Sequence, residues 1–107
     1  MSASTTYTFD DIKKKSRSVF AKHDFVDKVY VFGSYARGEE NADSDVDFYI
    51  QRSRETLLDF YSLYDELQEA LNTNVDIVHD GEQIAPYLMR NIQKDKVLIY
   101  ESCKNAY

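Results

Sequence analysis

Two hydrophobic periods alternate along this chain, and the switches between them mark its elements. Phe9, Ile12, Ser16, Val19, Phe20 and His23 recur at helical spacing, which predicts a helix over about 9–23. Thr8 with Asp11 three residues on fits a variant capping box at its start. Residues 26–32 form a first strand. The pattern breaks at Gly33-Ser34, a short helix beginning Tyr35-Ala36-Arg37 follows, and Gly38 supplies its C-terminal glycine cap. A second strand covers 45–51. A helix over 55–72 carries Leu57, Phe60 or Tyr61, Tyr64, Leu67 and Leu71 on one stripe, read as core. After the turn Asn72-Thr73-Asn74 a third strand, 74–78, alternates strictly: Val75 and Ile77 face one way, Asn74, Asp76 and Val78 the other. His79-Asp80-Gly81 turns the chain, Pro86 opens a helix that runs to about Gln93, and Val97 to Tyr100 is a final short strand. Residues 1–7 and 102–107 read as flexible tails. The expected fold is α/β (α+β), a single domain over 1–107 with a small mixed sheet and helices packed against it.

Composition narrows what such a domain does. At 107 residues, 43% hydrophobic and 30% charged, the chain has room for one core and has globular composition. The formal net charge of −6 opposes broad, charge-driven binding of nucleic acid, which needs a basic surface. It leaves room for a nucleotide, whose charge a metal and a helix N-terminus can meet. The basic run Lys13-Lys14-Lys15 with Arg17 reads as a solvated helix face rather than a docking surface. The single Cys103 allows no internal disulfide, consistent with a reducing cytoplasm. Met1 to Thr8 lacks the apolar core of a signal peptide, and no apolar run reaches membrane-spanning length. A cytoplasmic protein without membrane contact is expected.

The chemistry concentrates in residues 29–47. Gly33, with no Cβ, lets the backbone approach a ligand closely, and Ser34 is placed to cap the helix behind it, whose N–H groups suit a phosphate. Asp45 and Asp47 are two apart, so on a strand they share a face while Val46, Phe48 and Ile50 point into a core. Side-by-side carboxylates repel, and a hard divalent cation bound through oxygen relieves them. Asp76, an acidic residue inside a short apolar strand, joins the pair if its strand lies beside the second. Glu39, Glu40 and Asp43 read as a solvated acidic loop. His79 has no second imidazole near it in sequence, His23 being on the first helix, so no zinc site is expected.

These residues, Gly33-Ser34-Tyr35-Ala36-Arg37-Gly38, then Ser44-Asp45-Val46-Asp47, then Asp76 within Asn74 to Val78, resemble the DNA polymerase beta-like nucleotidyltransferases. Within that family they look most like the minimal nucleotidyltransferases, the antitoxin half of HEPN/MNT toxin–antitoxin pairs. The resemblance spans roughly residues 10–101 and implies the nucleotidyltransferase fold. It implies ATP as donor, with Gly33 and Ser34 on its β- and γ-phosphates, and two Mg²⁺ held by Asp45, Asp47 and Asp76. Asp76 would also help deprotonate the attacking hydroxyl. Arg37 either reaches a phosphate or pairs with Glu39, Glu40 or Asp43 to fix the loop, the second being preferred; Ser44 orients the carboxylates. The implied reaction moves AMP to a hydroxyl, that of a tyrosine on a HEPN toxin. Two alternatives stand beside it: an antitoxin that only docks, and a nucleotidyltransferase for a small molecule such as an aminoglycoside. The aligned third carboxylate disfavours the first, and the absence of an acceptor lobe disfavours the second.

Overall fold

The computed structural model describes residues 8–23, 25–39, 45–52, 57–79 and 83–102. Eight elements follow in the order α1 (Phe9–Phe20), β1 (Val26–Phe32), α2 (Ser34–Arg37), β2 (Val46–Arg52), α3 (Leu57–Leu71), β3 (Val75–His79), α4 (Pro86–Asp95) and β4 (Val97–Glu101). The strands make one mixed sheet in the order β3-β2-β1-β4. β1 is antiparallel to both β2 and β4, whereas β2 and β3 are parallel, a pairing that requires a crossover, here α3.

The sheet has two unlike faces. Strand parity sends Val29 and Val31 of β1, Val46, Phe48 and Ile50 of β2, and Val75 of β3 to one side. There they meet Ile12, Val19 and Phe20 of α1 and Leu63, Leu67 and Leu71 of α3 in the main core. Phe20 and Phe48 meet edge to face with centroids 5.4 Å apart. Full burial of side chains of this size is worth about 1.5–3 kcal/mol each. The one buried polar residue among them, Ser16, donates its hydroxyl to the Ile12 carbonyl at 2.6 Å and so is satisfied within its own helix. The opposite face is smaller: Phe32, Tyr49 and Val78 pack under Ile92 of α4, flanked by Tyr30, Ile84, Leu88 and Met89.

The expected capping box closes α1: the Thr8 amide donates to Asp11 Oδ2 at 3.1 Å and the Asp11 amide to Thr8 Oγ1 at 3.2 Å. Several boundaries differ from the sequence reading. α1 stops at Phe20, not at residue 23, because the chain turns there and His23 is drawn to Glu66 of α3, Nε2 lying 3.1 Å from Oε1. In α3 the buried stripe includes Leu63, which the periodicity argument passed over, while Tyr61 is 53% exposed. Residues 55 and 56, where α3 was expected to begin, and the turn residues Asp80 and Gly81 lie outside the described set, as do residues 1–7, Cys103 and the rest of the expected tail. Ser102 is tied down, its amide donating to the Asp27 carbonyl at 2.8 Å.

Candidate active site

The end of β1, the start of β2 and the start of β3 meet on the α4 face of the sheet. Phe32, the last residue of β1, is the antiparallel partner of Asp47, and Asp76 is its parallel partner on the other side. Asp47 is therefore the second residue of a central strand, flanked by an aromatic and by another carboxylate. Asp76 is exposed and Asp47 half-buried. Asp45 stands one residue before β2 begins, exposed at the mouth, so it continues the strand's direction without being paired in it.

Gly33 follows Phe32 directly. Its φ of 77° is a conformation that L side chains rarely adopt. A Cβ there would run into Asp47 Oδ2 and lie 3.2 Å from its Cγ. Both the turn and the space therefore demand glycine, and the backbone at residue 33 lies directly against the carboxylate. Gly33 itself is the N-cap of α2, Ser34 is the first helical residue, and no side chain caps the helix. The expectation that Ser34 caps it is thus corrected: the tight turn starts the helix one residue earlier. Gly38 closes α2 in the left-handed conformation, φ 74°, as its position after Arg37 predicted.

Electrostatics single out Asp47. Its carboxyl is pushed up to about 6, first by burial and then by the neighbouring charges of Asp76 and Asp45, with Arg37 pulling the other way. A carboxylate cluster that raises the proton affinity of its most buried member has the chemistry of a cation site: hard oxygen donors of one sign on one face. Among the described residues, no group of three or more His, Cys, Asp or Glu side chains already stands in ligating arrangement, so the three carboxylates share a face without being drawn together.

Arg37 is fixed by two carboxylates. Its Nε donates to Glu39 Oε1 at 2.9 Å and its Nη1 to Asp95 Oδ2 at 2.7 Å, and these bonds hold its guanidinium more firmly charged, Glu39 contributing most. Glu39 is one of the partners expected for it; Glu40, Asp43 and Ser44 lie outside the described residues. Asp95 was missed, because the last helix was read as ending near Gln93. A signal existed: a carboxylate in the last turn of a helix opposes the helix dipole and asks for a cation nearby. His79, at the far end of β3, accepts from Arg52 Nε at 3.1 Å and packs its ring against Phe60. Among the described residues no helix is long and apolar enough to cross a membrane.

Comparison with known proteins gives this geometry a family. The family described as polymerase beta, nucleotidyltransferase, matches residues 14–105. Two candidate protein adenylyltransferases of Methanocaldococcus jannaschii are similar to the chain. One is 31% identical over 90 residues, covering 83% of this chain and 92% of the relative; the other is 37% identical over 90 residues, covering 83% and 89%. A solved structure described as a candidate minimal nucleotidyltransferase superposes with a TM-score of 0.72 at 29% identity, over 87% of this chain and 97% of that one. A chain from a complex of a tri-AMPylated Shewanella oneidensis HEPN toxin with an MNT antitoxin shares the fold, with a TM-score of 0.67, 16% identity, and coverage of 92% and 77%. A chain of a toxin–antitoxin crystal structure with AMP-PNP does so at a TM-score of 0.71 and 19% identity, over 87% and 76%. With its fold superposing on these structures and the family match running over most of its length, the chain belongs to the polymerase beta nucleotidyltransferase family and is a nucleotidyltransferase.

Proposed function

We propose that this protein transfers AMP from ATP to a tyrosine hydroxyl of a HEPN-type toxin and thereby acts as its antitoxin. The observation that carries the reading is the parallel register of Asp47 with Asp76, directly beside the Gly33 turn and with Asp45 at the mouth. A chain that only docks has no use for that alignment. The choice of a protein acceptor is supported by the relatives named as candidate protein adenylyltransferases and by the likeness to a chain from a complex holding a tri-AMPylated HEPN toxin.

In this reading Asp45, Asp47 and Asp76 would hold Mg²⁺, two ions being able to stabilise both the attacking and the leaving oxygen of an in-line displacement. Bound Mg²⁺ would supply positive charge to meet the charge developing on the transferred group. The chain does the rest. The bare backbone at Gly33, with Ser34 behind it, cradles the β- and γ-phosphates and aims the α-phosphorus at the carboxylate face. Asp76, on an edge strand and exposed, faces the acceptor. A tyrosine hydroxyl has an unperturbed pKa of about 10 and is a poor nucleophile at neutral pH. Asp76 accepts its proton as the phenolic oxygen bonds to the α-phosphorus, the bond to the bridging oxygen of the β-phosphate breaks, and pyrophosphate leaves.

The test is intact-mass spectrometry of a HEPN-type toxin co-expressed with the chain. The toxin gains adenylate units with wild type and none with Asp45→Ala or Asp47→Ala. If those variants silence the toxin equally well and it never gains mass, docking alone is the function.

A further inference from the structure

The last turn of α4 carries a charge in the wrong place for a helix. Asp95 is the final residue of α4, where the exposed carbonyls make the helix end negative and a carboxylate is unfavourable. Its side chain is only 8% exposed. A buried carboxylate at that position needs a cation, and Arg37 supplies one through a 2.7 Å charge-assisted bond from Nη1. The two residues are far apart in sequence. Arg37 ends the short helix that starts at the Gly33 turn, and its charge acts on the Asp47 carboxyl. The next residue along, Lys96, places its ammonium 4.8 Å from the centroid of Tyr30, whose strand partner is Tyr49 on the face that carries Asp47. The C-terminal end of α4 is therefore pinned twice to the site face, once through each of two successive side chains.

We propose that Asp95 is a positioning residue for nucleotide transfer: by gripping Arg37 it holds the guanidinium at the rim of the carboxylate face, where it meets the triphosphate. This rests on the reading of the site given above. The geometry suits the role. Nε is taken by Glu39 and Nη1 by Asp95, a pair of bonds that fixes the plane of the guanidinium and sets the direction of its remaining donors. Without Asp95, Arg37 keeps its charge and its bond to Glu39 but loses the contact that ties it to α4. An unfixed arginine loses rotamer entropy on meeting a phosphate; a gripped one has already lost it. Asp95 touches no reacting atom in this scheme, and its effect on the nucleotide passes through Arg37.

The experiment compares binding of Mg²⁺·ATP, by calorimetry, with thermal stability of the nucleotide-free protein. The set is wild type, Asp95→Asn, Asp95→Glu, Arg37→Lys, and the charge-swapped double variant Arg37→Asp with Asp95→Arg. Asp95→Asn is expected to weaken ATP binding roughly threefold to tenfold, the range of one ordinary hydrogen bond, because the effect reaches the nucleotide only through Arg37. Asp95→Glu restores most of it, and Arg37→Lys, which keeps charge but loses the fork, does not. The swapped pair regains the stability of the α2–α4 bond and still binds ATP poorly, because its guanidinium now grows from the wrong helix. If the swapped pair binds ATP like wild type, or if Asp95→Asn binds it unchanged, the bond is structural only and the inference falls. If wild type itself binds no Mg²⁺·ATP, the functional reading has failed and Asp95 loses its role with it.

Discussion

The two faces of the sheet obey different rules. Against α1 and α3, the side chains of β1, β2 and β3 are sealed: Val29, Val31, Val46, Phe48 and Ile50 are at most 1% exposed. Two carboxylates on the helices that cover that core are partnered. The Asp11 carboxyl is held below its ordinary value by the Thr8 backbone and side chain, and Glu66 likewise by its bond to His23. On the α4 face the helix covers Phe32, Tyr49 and Val78 but leaves the carboxylate end open, and there Asp47 moves the opposite way, up to about 6. The direction of the shift sets Asp47 apart from Asp11 and Glu66, which brace the helices. A group kept in an unfavourable ionised state next to like charges is a group waiting for a counter-charge.

Four measurements would break or sharpen this contrast. The largest effect belongs to the sealed face. Phe48→Ala should cost about 3–5 kcal/mol in urea unfolding, because a fully buried ring is removed from contact with Phe20. A loss under about 1 kcal/mol would mean that this face is not the one that holds the fold. Next comes the open face with its ligand. Mg²⁺ with ATP at a hundred times its dissociation constant should stabilise the protein by about 2.7 kcal/mol, seen as a rise in Tm. Asp47→Ala should show no such rise; an equal rise in that variant would place the ligand elsewhere. Gly33→Ala is third. Its positive φ and the collision with Asp47 should cost about 1–3 kcal/mol in the ligand-free protein and blunt the Mg²⁺·ATP shift as well. Neutral stability would show that the turn relaxes easily.

The smallest effect has a sign opposite to that of an ordinary core change. The Asp47 carboxyl binds its proton more tightly in the folded protein than in the unfolded chain. Below about pH 4 the group is protonated in both states and costs nothing. Between about pH 4 and about 6 the unfolded chain has released its proton while the folded state still holds it, so stability falls across that window and levels off above it. Asp47→Asn should remove this penalty. Because the site is partly open to solvent, the gain at pH 7.5 should be about 1 kcal/mol, well short of what the shift alone implies. Chemical denaturation of both proteins from pH 4 to 8 checks it: the gap should open with rising pH, and a gap of reversed sign would make Asp47 a structural residue.

Much of this was legible because the patterns are local. Strict alternation on β2 and β3 fixed which side chains share a face, and Gly33, Gly38, Thr8 and Pro86 marked their turns and caps. That Asp76 shares a face with Asp47 follows once β3 lies beside β2; their direct pairing does not, since parity leaves the register open in steps of two. What escaped needed three dimensions. Asp95 finds Arg37 across the molecule, His23 leaves its helical stripe for a partner on α3, and Leu63 is buried because α1 and α3 pack together. The Ser34 cap failed for a subtler reason: a glycine already turned through positive φ starts the helix without help from a side chain.

The single parallel pairing in the sheet also sets an order of assembly during synthesis. The β1–β2 hairpin brings Gly33 to Asp47 from the first half of the chain alone, but Asp76 arrives only after α3 has been made and has carried the chain back across the sheet. Pairings that wait on a crossover of that length form late. A nascent chain thus passes through a stage at which it holds the glycine turn and two carboxylates and lacks the third, and under the proposed mechanism transfer would wait until β3 docks. In that scheme the site is closed by a pairing made past the middle of the chain, with α4 and β4 still to follow.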